Sequence, residues 1–328
     1  MWRRQGRSAP SPSPGLKRKA VRTGASASPF STDPPKTDQE QGNPPVSHRD
    51  NVLVSTEWLA EHLASPDVVP VDASWYLPAM QRQPKAEYLE QHIPGAVFFD
   101  IDTIADTSRD LPHMLPDQIA FSSAMRKLGI GDGQTIVVYD GMGLFSAARA
   151  WWTFRTMGVE NVFVLDGGLP AWIAEGRPVE DGAVSRQPRH FTARIDRSAV
   201  KTLDVVKRAS ETGSAQILDA RPAERFRGEA PEPRPGLRSG HIPASRSLPF
   251  DRLVADGRLA GDAVLDAALA EAGFDPMRPV ITSCGSGVTA ALITLALAAR
   301  GHATGGLYDG AYAEWGGHPE TDVATGPA

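Results

Sequence analysis

Short apolar runs alternate along the chain with longer segments in which apolar residues recur at helical spacing. Residues 136–139 and 162–165 are predicted to be buried strands, because each is a short and almost wholly apolar run. Residues 146–156 and 288–300 are predicted to be helices, the second ending at an arginine followed by a glycine. Strands that alternate with helices predict an α/β fold, with parallel sheets flanked by helices. Ligands of such sheets bind at the carboxyl ends of the strands.

Four blocks of sequence occur twice, in the same order and at offsets of about 143 to 149 residues. The paired blocks are Asp72-Ala-Ser with Asp219-Ala-Arg, His92-Ile-Pro with His241-Ile-Pro, Asp140-Gly with Cys284-Gly, and Asp166-Gly with Asp309-Gly. Such a match indicates an internal duplication. We therefore predict two similar domains, at residues 49–182 and 199–328, joined by a polar linker at residues 183–198.

The first 48 residues have a different composition from the rest of the chain. They are rich in Ser, Pro, Arg and Lys, and no acidic residue precedes Asp33. A segment with so few large apolar residues cannot offset the entropy of ordering, so residues 1–48 are predicted to be a disordered tail. Two alternatives stay open: an organelle transit peptide, and a start codon placed too early.

Charge and cysteine content narrow the classes of function. The formal net charge of −5 argues against a nucleic-acid or anionic-membrane partner, because both favour a basic surface. The longest apolar stretch, residues 288–299, is too short to cross a bilayer. A single cysteine excludes an intrachain disulfide and a thiolate zinc site, and we predict no metal and no cofactor. A reducing compartment would protect the lone thiol, which favours the cytoplasm, or mitochondria if the tail is a transit peptide.

That cysteine, Cys284, follows a strand-like run and precedes Gly285-Ser-Gly287 and a predicted helix. Two glycines allow the main chain to curl so that several N–H groups converge, and the helix dipole adds to their positive potential. Such a turn would stabilise a thiolate, the form in which sulfur attacks. A phosphatase loop would need an arginine at position 290, where this chain has Ala290. The simpler alternative is that Cys284 is a small buried apolar residue.

The sequence resembles the two-domain rhodanese family over residues 52–319. The segments that carry this resemblance are Asp72-Ala-Ser-Trp-Tyr-Leu-Pro78, His92-Ile-Pro-Gly-Ala96, Phe99-Asp-Ile-Asp102, His113-Met-Leu-Pro116, Trp151-Trp152, Arg225-Phe-Arg-Gly, Pro231-Glu-Pro-Arg234, Gly240-His-Ile-Pro243 and Cys284-Gly-Ser-Gly-Val-Thr289. The resemblance implies two tandem rhodanese-like domains, of which the second is catalytic. The residues agree, because Asp140 stands where the second repeat has Cys284 and a carboxylate cannot relay sulfur.

The resemblance also implies a substrate and the residues that bind it. The loop after Cys284 is similar to that of family members that use 3-mercaptopyruvate, whereas members that use thiosulfate carry basic residues there. Its N–H groups, from Gly285, Gly287, Val288 and Thr289, are expected to hold the transferred sulfur. A mercapto-acid is a monoanion whose carboxylate suits guanidinium groups. The matching positions for these groups are Arg225 and Arg234.

Proton transfer is expected from a relay that the resemblance places at Ser286, His113 and Asp102. Such an array would move the thiol proton of the substrate toward the departing enolate. Alternatively, Ser286 only shapes the turn and His113 is a buried structural residue. Phe145 departs from the family pattern, because some members have tyrosine at this position, and the substitution removes a hydroxyl from the pocket between the domains.

The remaining repeated residues are interpreted as structural. We expect His92 and His241 to brace turns and the two tryptophans at 151 and 152 to pack in the core or between the domains. The aspartates that end repeated strands, at positions 72, 166, 219 and 309, are expected to support the fold.

The predicted reaction is a ping-pong transfer of sulfur from a mercapto-acid to Cys284, and from there to a thiol such as thioredoxin or to cyanide. Two other functions stay open from the sequence. One is a rhodanese that prefers thiosulfate, and the other is a rhodanese-like protein that binds or senses sulfur without catalysis.

Overall fold

Two parallel five-stranded sheets with the same strand order form the framework of the protein. The structure is a computed structural model and describes residues 47–303 and 305–327. The first sheet has the order β1-β5-β4-β2-β3, with strands β1 (Leu53–Val54), β2 (Val68–Asp72), β3 (Val97–Phe98), β4 (Thr135–Tyr139) and β5 (Val162–Leu165). The second has the order β6-β12-β11-β7-β8, with strands β6 (Val200–Lys201), β7 (Gln216–Asp219), β8 (Ser245–Ser247), β11 (Val280–Ser283) and β12 (Gly306–Tyr308), while β9 (Val254–Ala255) and β10 (Arg258–Leu259) form a hairpin. The predicted α/β fold with two duplicated parallel sheets is confirmed.

Ten α-helices flank these strands. They are α1 (Thr56–His62), α2 (Pro84–Glu90), α3 (Gln118–Lys127), α4 (Ala147–Thr156), α5 (Gly168–Ala174), α6 (Leu203–Thr212), α7 (Ala223–Phe226), α8 (Asp262–Glu271), α9 (Ala290–Ala299) and α10 (Ala311–Gly317), counted over the described residues. Helix α3 shows how local sequence sets a boundary, because the Asp117 carboxylate accepts the N–H groups of Ile119 and Ala120 at its first turn. The helix predicted from residue 288 begins two residues later, because residues 288 and 289 are part of the turn that follows Cys284.

The strand order decides where the two equivalent loops lie. In each sheet the middle strand, β4 or β11, runs beside strands that come earlier and later in the chain, which is the switch point where α/β sheets bind ligands. Both middle strands are buried almost throughout, because helices cover both faces of each sheet. The loops that leave them carry Asp140 and Cys284.

Helices α4 and α9, which follow these two loops, pack against each other and join the two halves. Nearly every residue of both helices is buried, including Trp151 and Trp152, whose predicted packing in the core is confirmed. Both sheets belong to one compact unit, Pro45–Ala328. The exact domain limits proposed from the sequence stay a prediction. The predicted tail lies, up to residue 46, outside the described residues.

The contacts between the halves follow an approximate twofold pattern. The Leu115 N–H donates to Asp309 Oδ2 at 2.7 Å, and the equivalent Leu259 N–H donates to Asp166 Oδ1 at 3.0 Å. Arg149 breaks the pattern, because the equivalent position in α9 is Ile293. The aspartates at both sites therefore support the fold, as predicted, by fastening each domain to the other.

Arg149 joins four parts of the structure. It lies on α4 in the first half, and its Nη2 donates to the main-chain carbonyl of His113 and lies 2.8 Å from Asp309 Oδ1. Its Nη1 donates to the carbonyl of Gly287 at 3.3 Å, and its guanidinium lies 4.5 Å from the Trp152 ring centroid. The side chains of Arg149 and Asp309 are each only 3% exposed. This charge therefore sits in the core and ties the loop after Cys284 to the first half.

His92 and His241 brace turns, which confirms their predicted role. His92 Nδ1 contacts the carbonyl of Tyr88 at 2.7 Å, and His241 Nδ1 contacts that of Phe226 at 2.9 Å. Each also pairs through its main chain with the segment that ends its own domain. Among the helices of the described chain, none is long and apolar enough to span a membrane.

Replacement of Arg149 by methionine is expected to lower the free energy of unfolding by roughly 3–5 kcal/mol, because it leaves Asp309 as an unpaired buried charge. Urea unfolding followed by circular dichroism measures the change. The matched control is Arg155→Met on the same helix, since Arg155 is exposed and donates only to the Glu160 carbonyl. That control should change stability by no more than about 0.5 kcal/mol. Equal effects of the two substitutions would contradict the role given to Arg149.

Candidate active site

Cys284 lies at the carboxyl end of β11, where the chain turns toward α9. Its side chain is buried, and its sulfur accepts the Gly287 N–H at an N–Sγ distance of 3.1 Å. Gly287 has a φ of 79°, a left-handed conformation that favours glycine and directs this N–H back at the sulfur. The predicted turn between strand and helix is therefore present around the thiol.

The carbonyl groups of the same turn point away from the sulfur. The Cys284 carbonyl accepts the Tyr312 N–H at 2.8 Å and the Gly285 carbonyl accepts the Ala313 N–H at 3.0 Å, both from the start of α10. Helix α10 thus holds the acceptors of the loop on its far side. The sulfur accepts an N–H of the loop, while these two carbonyls are bound elsewhere, which suits a thiolate.

Asp140 shows what the equivalent turn of the first domain binds. Its buried carboxylate accepts the N–H groups of Met142 at 2.9 Å, Phe145 at 2.7 Å and Ala147 at 2.8 Å. Burial raises the pKa of this carboxyl group, and the three N–H groups oppose that shift. The first-domain loop is therefore an anion cradle that its own side chain fills.

Two arginines stand beside the cysteine loop. Arg225, on α7, forms an ion pair with the buried carboxylate of Glu232, and its Nη2 would lie 3.1 Å from a Cβ placed on Gly285. Burial lowers the pKa of Arg234, and the nearby Cys284 thiolate opposes this shift ahead of the other neighbouring charges. The structure thus brings both predicted arginines to the loop, with Arg225 held by Glu232.

Arg234 also lines a cleft of about 400 Å³ that lies beside His113. The rest of its wall is the segment 102–113 of the first domain, which includes Asp102 and His113. The candidate site is therefore built from both domains, although only one of them supplies the thiol.

His113 connects Asp102 to the cysteine loop. Its Nε2 lies 3.0 Å from Asp102 Oδ1, and its Nδ1 lies 3.3 Å from the main-chain carbonyl of Ser286. The hydrogen bond to His113 lowers the pKa of Asp102, ahead of the opposing effect of burial. The three predicted relay residues are therefore brought together, and the contact to Ser286 is made by its carbonyl rather than its hydroxyl.

The backbone at His113 is in the left-handed region, with a φ of 58°. The equivalent position of the second domain is Gly257, with a φ of 71°, which needs no side chain to adopt that conformation. A histidine here costs conformational energy that the glycine avoids, and such positions cluster at functional sites. The geometry therefore favours a functional role for His113 over a purely structural one.

The rhodanese-like domain family matches the chain twice, at residues 55–175 and 202–318. These two matches together span most of the chain, and each begins directly after the first strand of one sheet. The chain belongs to the rhodanese family. Its two domains and its reactive-loop geometry thus have a common origin in one duplicated fold.

Several relatives of this rhodanese have names that describe an activity. The 3-mercaptopyruvate sulfurtransferase of Escherichia coli K12 is 46% identical over 272 residues, which cover 83% of this chain and 97% of the relative. The thiosulfate sulfurtransferase of Cricetulus griseus is 40% identical and covers 84% and 95% of the two chains. The crystal structure of SseA from Escherichia coli, described as a 3-mercaptopyruvate sulfotransferase, matches with a TM-score of 0.74 and 45% identity over 79% of this chain and 98% of SseA.

Trp75 is a residue of this rhodanese site that sequence reasoning did not single out. Its indole N–H lies 3.2 Å from both carboxylate oxygens of Asp102, and its ring meets that of His113 edge-on at 4.8 Å. Trp75 therefore orients the carboxylate and the imidazole together. Its place in the Asp72-Ala-Ser-Trp segment was the available signal.

Phe145 lies between aromatic rings of both domains. It is fully buried and packs 5.3 Å from Phe250 of the second domain and 6.4 Å from Trp75 of the first. A tyrosine hydroxyl at this position would need a polar partner in an apolar setting. Phenylalanine suits the observed packing and leaves this wall of the rhodanese site without a hydroxyl.

Replacement of His113 by asparagine is expected to raise the pKa of Asp102 toward that of an ordinary aspartate, because the main cause of its lowering is lost. In the native protein, ionised Asp102 stabilises the fold at pH values above the ordinary pKa of an aspartate. This stabilisation is lost as the pH falls through the lowered pKa of Asp102. Carbon-13 NMR of the carboxyl groups during acid titration measures it.

Asp106 is the internal control for that titration. Its pKa is lowered by the hydroxyl and N–H of Ser108, and these contacts do not involve His113. The Asp106 titration should therefore be unchanged in His113→Asn. A parallel rise at both aspartates would indicate that the whole segment 102–113 had moved.

Proposed function

We propose that this protein transfers sulfur from 3-mercaptopyruvate, through a persulfide on Cys284, to a thiol acceptor, with release of pyruvate. The observation that carries the proposal is the buried Cys284 thiol, which accepts the Gly287 N–H in a tight turn, with Arg225 and Arg234 nearby. The same activity is named for the Escherichia coli relative. As a sulfurtransferase, the protein needs one small-molecule sulfur donor and one acceptor.

In the first half-reaction the Cys284 thiolate attacks the sulfur of the bound mercapto-acid. A sulfur–sulfur bond forms as the carbon–sulfur bond of the donor breaks, and its electron pair leaves as the enolate of pyruvate. The enolate takes up one proton to become pyruvate. The two arginines hold the carboxylate of the donor through charge-assisted hydrogen bonds, which orients its sulfur toward the thiolate.

The persulfide that results is matched to the loop, and Asp140 supports this assignment. An aspartate oxygen and the outer sulfur of a cysteine persulfide are both two bonds beyond Cβ. In the first domain, the Asp140 carboxylate oxygens, at this distance from Cβ, accept the N–H groups of residues 142, 145 and 147. The equivalent positions of the second domain are residues 286, 289 and 291, where the Ala291 N–H also donates to the Val288 carbonyl at 3.3 Å. An anionic outer sulfur on Cys284 would therefore meet the same kind of cradle.

The charge of the loop favours a mercapto-acid over thiosulfate. The side chains that follow the cysteine, at Gly285 and Ser286, are neutral, so nothing in the loop compensates the second charge of a dianion. Part of the charge on Arg225 is already offset by Glu232.

The protonating group proposed for the enolate is His113, aided by Ser286 and Asp102. Both ring nitrogens of His113 face oxygen acceptors, a carboxylate and a carbonyl, and only an imidazolium donates to both. This arrangement supports a proton donor. The Ser286 hydroxyl is the proposed carrier of the donor thiol proton, and Ser286 contacts His113 through its carbonyl.

In the second half-reaction a thiolate of the acceptor attacks the outer sulfur and Cys284 leaves as a thiolate. The new persulfide is then carried by the acceptor, so the enzyme returns to its starting state. A protein dithiol such as thioredoxin is the proposed acceptor. The cytoplasm is the proposed compartment, because its reducing conditions keep both thiols reduced, with mitochondria as the alternative.

The decisive experiment compares donors on the purified full-length chain. We expect kcat/KM for pyruvate release from 3-mercaptopyruvate to exceed kcat/KM for thiocyanate formation from thiosulfate and cyanide by at least about tenfold. The reason is that the neutral side chains of the loop do not compensate the second charge of thiosulfate. A higher kcat/KM with thiosulfate would assign the protein to the thiosulfate-using branch instead.

Intact-mass spectrometry after exposure to 3-mercaptopyruvate tests the intermediate. The protein should gain the mass of one sulfur atom, which cyanide removes, and Cys284→Ser should gain none and lose turnover. Absence of this gain in the native chain would favour a non-catalytic binding role, and turnover retained in Cys284→Ser would exclude the persulfide.

Arg234→Gln is expected to raise KM for 3-mercaptopyruvate by about tenfold to 100-fold, because it removes a charged hydrogen-bond donor to the carboxylate. Steady-state kinetics measure this rise. Arg227→Gln is the matched control, since Arg227 belongs to the same segment but is paired at the surface with Glu229, and its KM should stay unchanged. A similar rise in both variants would show a general charge effect rather than a contact to the donor.

A further inference from the structure

A second cavity, of about 380 Å³, lies in the first domain at the carboxyl edge of its sheet. Its wall includes Asp72, Ser74, Glu87, Gly141 and Leu169. We propose that this cavity is a binding site for a small organic cation that carries a guanidinium group. This site is independent of Cys284 and of the sulfur reaction.

The second domain shows what occupies the same place there. Arg221 is buried, and its guanidinium donates to both oxygens of Asp219 at 2.6–3.1 Å and to Glu232 at 2.8 Å. The guanidinium also stacks on the Tyr312 ring, 3.7 Å from its centroid. This domain therefore contains a built guanidinium site that a residue of its own chain fills.

In the first domain the carboxylate of that site is kept and the guanidinium is missing. Strand β2 ends at Asp72 as β7 ends at Asp219, and two residues later the first domain has Ser74 in place of Arg221. Leu169 stands in place of Tyr312. Both replacements are smaller, and both line the cavity. The cavity therefore lies where smaller side chains replace an arginine and an aromatic ring of the other repeat, beside Tyr76, whose hydroxyl donates to Glu87 at 2.8 Å.

Asp72 is left without a cation. It is 1% exposed, its Oδ1 accepts the Ser74 N–H at 2.9 Å, and no arginine, lysine or histidine of the described chain forms an ion pair with it. Burial, with a smaller contribution from the nearby Asp140 charge, raises its pKa to about 6. A cation in the cavity would relieve this desolvated charge, as Arg221 does for Asp219.

The other charges of the cavity also favour a cationic ligand. Arg82 also lines the cavity, where its Nη2 would lie 3.5 Å from a Cβ placed on Gly141, but it is already engaged, because it pairs with Glu87 and stacks 3.7 Å from the Tyr76 ring centroid. Glu90 adds a further carboxylate to the wall. The lining therefore keeps an excess of negative charge after its one arginine is paired. A planar guanidinium matches a carboxylate through two parallel hydrogen bonds, which an ammonium group cannot form.

The test uses methylguanidinium chloride as the probe and the full-length protein. Titration followed by two-dimensional amide NMR should give saturable shifts at the amides around Asp72 and Gly141, with a Kd on the order of 1 mM. Tetramethylammonium chloride at the same ionic strength should give no saturable shift, because it offers no hydrogen-bond donor. Equal, non-saturating shifts with both salts would overturn the proposal.

Three variants make the assignment specific. Ser74→Arg would supply the guanidinium from within the chain and Asp72→Asn would remove its partner, so both should abolish saturable binding. Ser74→Ala is the matched control for position 74. It leaves the cavity open and adds no charge, so the affinity should stay within about threefold of the native value. Binding that persists in Asp72→Asn, or is lost equally in Ser74→Ala, would show that the probe binds elsewhere or that the fold is altered.

Discussion

The buried charge of Arg149 is the constraint on which the site depends. A guanidinium in the core must find acceptors, and here they are carbonyls from two loops and a carboxylate from the other domain. Those loops carry His113 and Gly287. The need to satisfy one buried cation therefore fixes how far the histidine segment of one domain lies from the cysteine turn of the other. The same contact couples the stability of the fold to the geometry of the reaction.

The sequence predicted those features that are local or repeated. The strands at residues 136–139 and 162–165 and the turn around Cys284 follow from short patterns, and the duplication is visible because whole blocks recur. Helix α9 was predicted too early, since the glycine turn extends the loop through apolar residues that resemble a helix start. Boundaries of this kind depend on a positive φ, which composition does not reveal.

The parts that sequence reasoning missed are contacts over long separations. In the sequence Arg149 is an ordinary charged residue of a helix, and no neighbouring residue predicts that Asp309 is its partner. Trp75 lies in one of the segments that resemble the rhodanese family. The role of its indole N–H is evident only from the folded structure, where it contacts Asp102. The cavity at Asp72 needs the absence of two side chains at once, and only comparison of the two repeats in space reveals it.

The two domains show how few side chains separate a reactive loop from an inert one. Their strands have one order, and Gly143 and Gly287 share the left-handed backbone of the turn. At the head of the turn one domain has a carboxylate that satisfies the N–H groups permanently, and the other has a thiol that leaves room for an added atom. The first domain has no thiol at this position, and it supplies the histidine and the buried arginine that the second domain lacks.

The approximate twofold contacts of Leu115 and Leu259 have an evolutionary consequence. Equivalent residues meet equivalent residues across the seam, as in an interface between two identical subunits. Two identical single domains joined by these contacts would place the turn of each domain against its neighbour. Two halves of a single fused chain need not stay identical, since mutations can then accumulate in one half alone. Arg149 opposite Ile293, and His113 opposite Gly257, record such a division of labour within one chain.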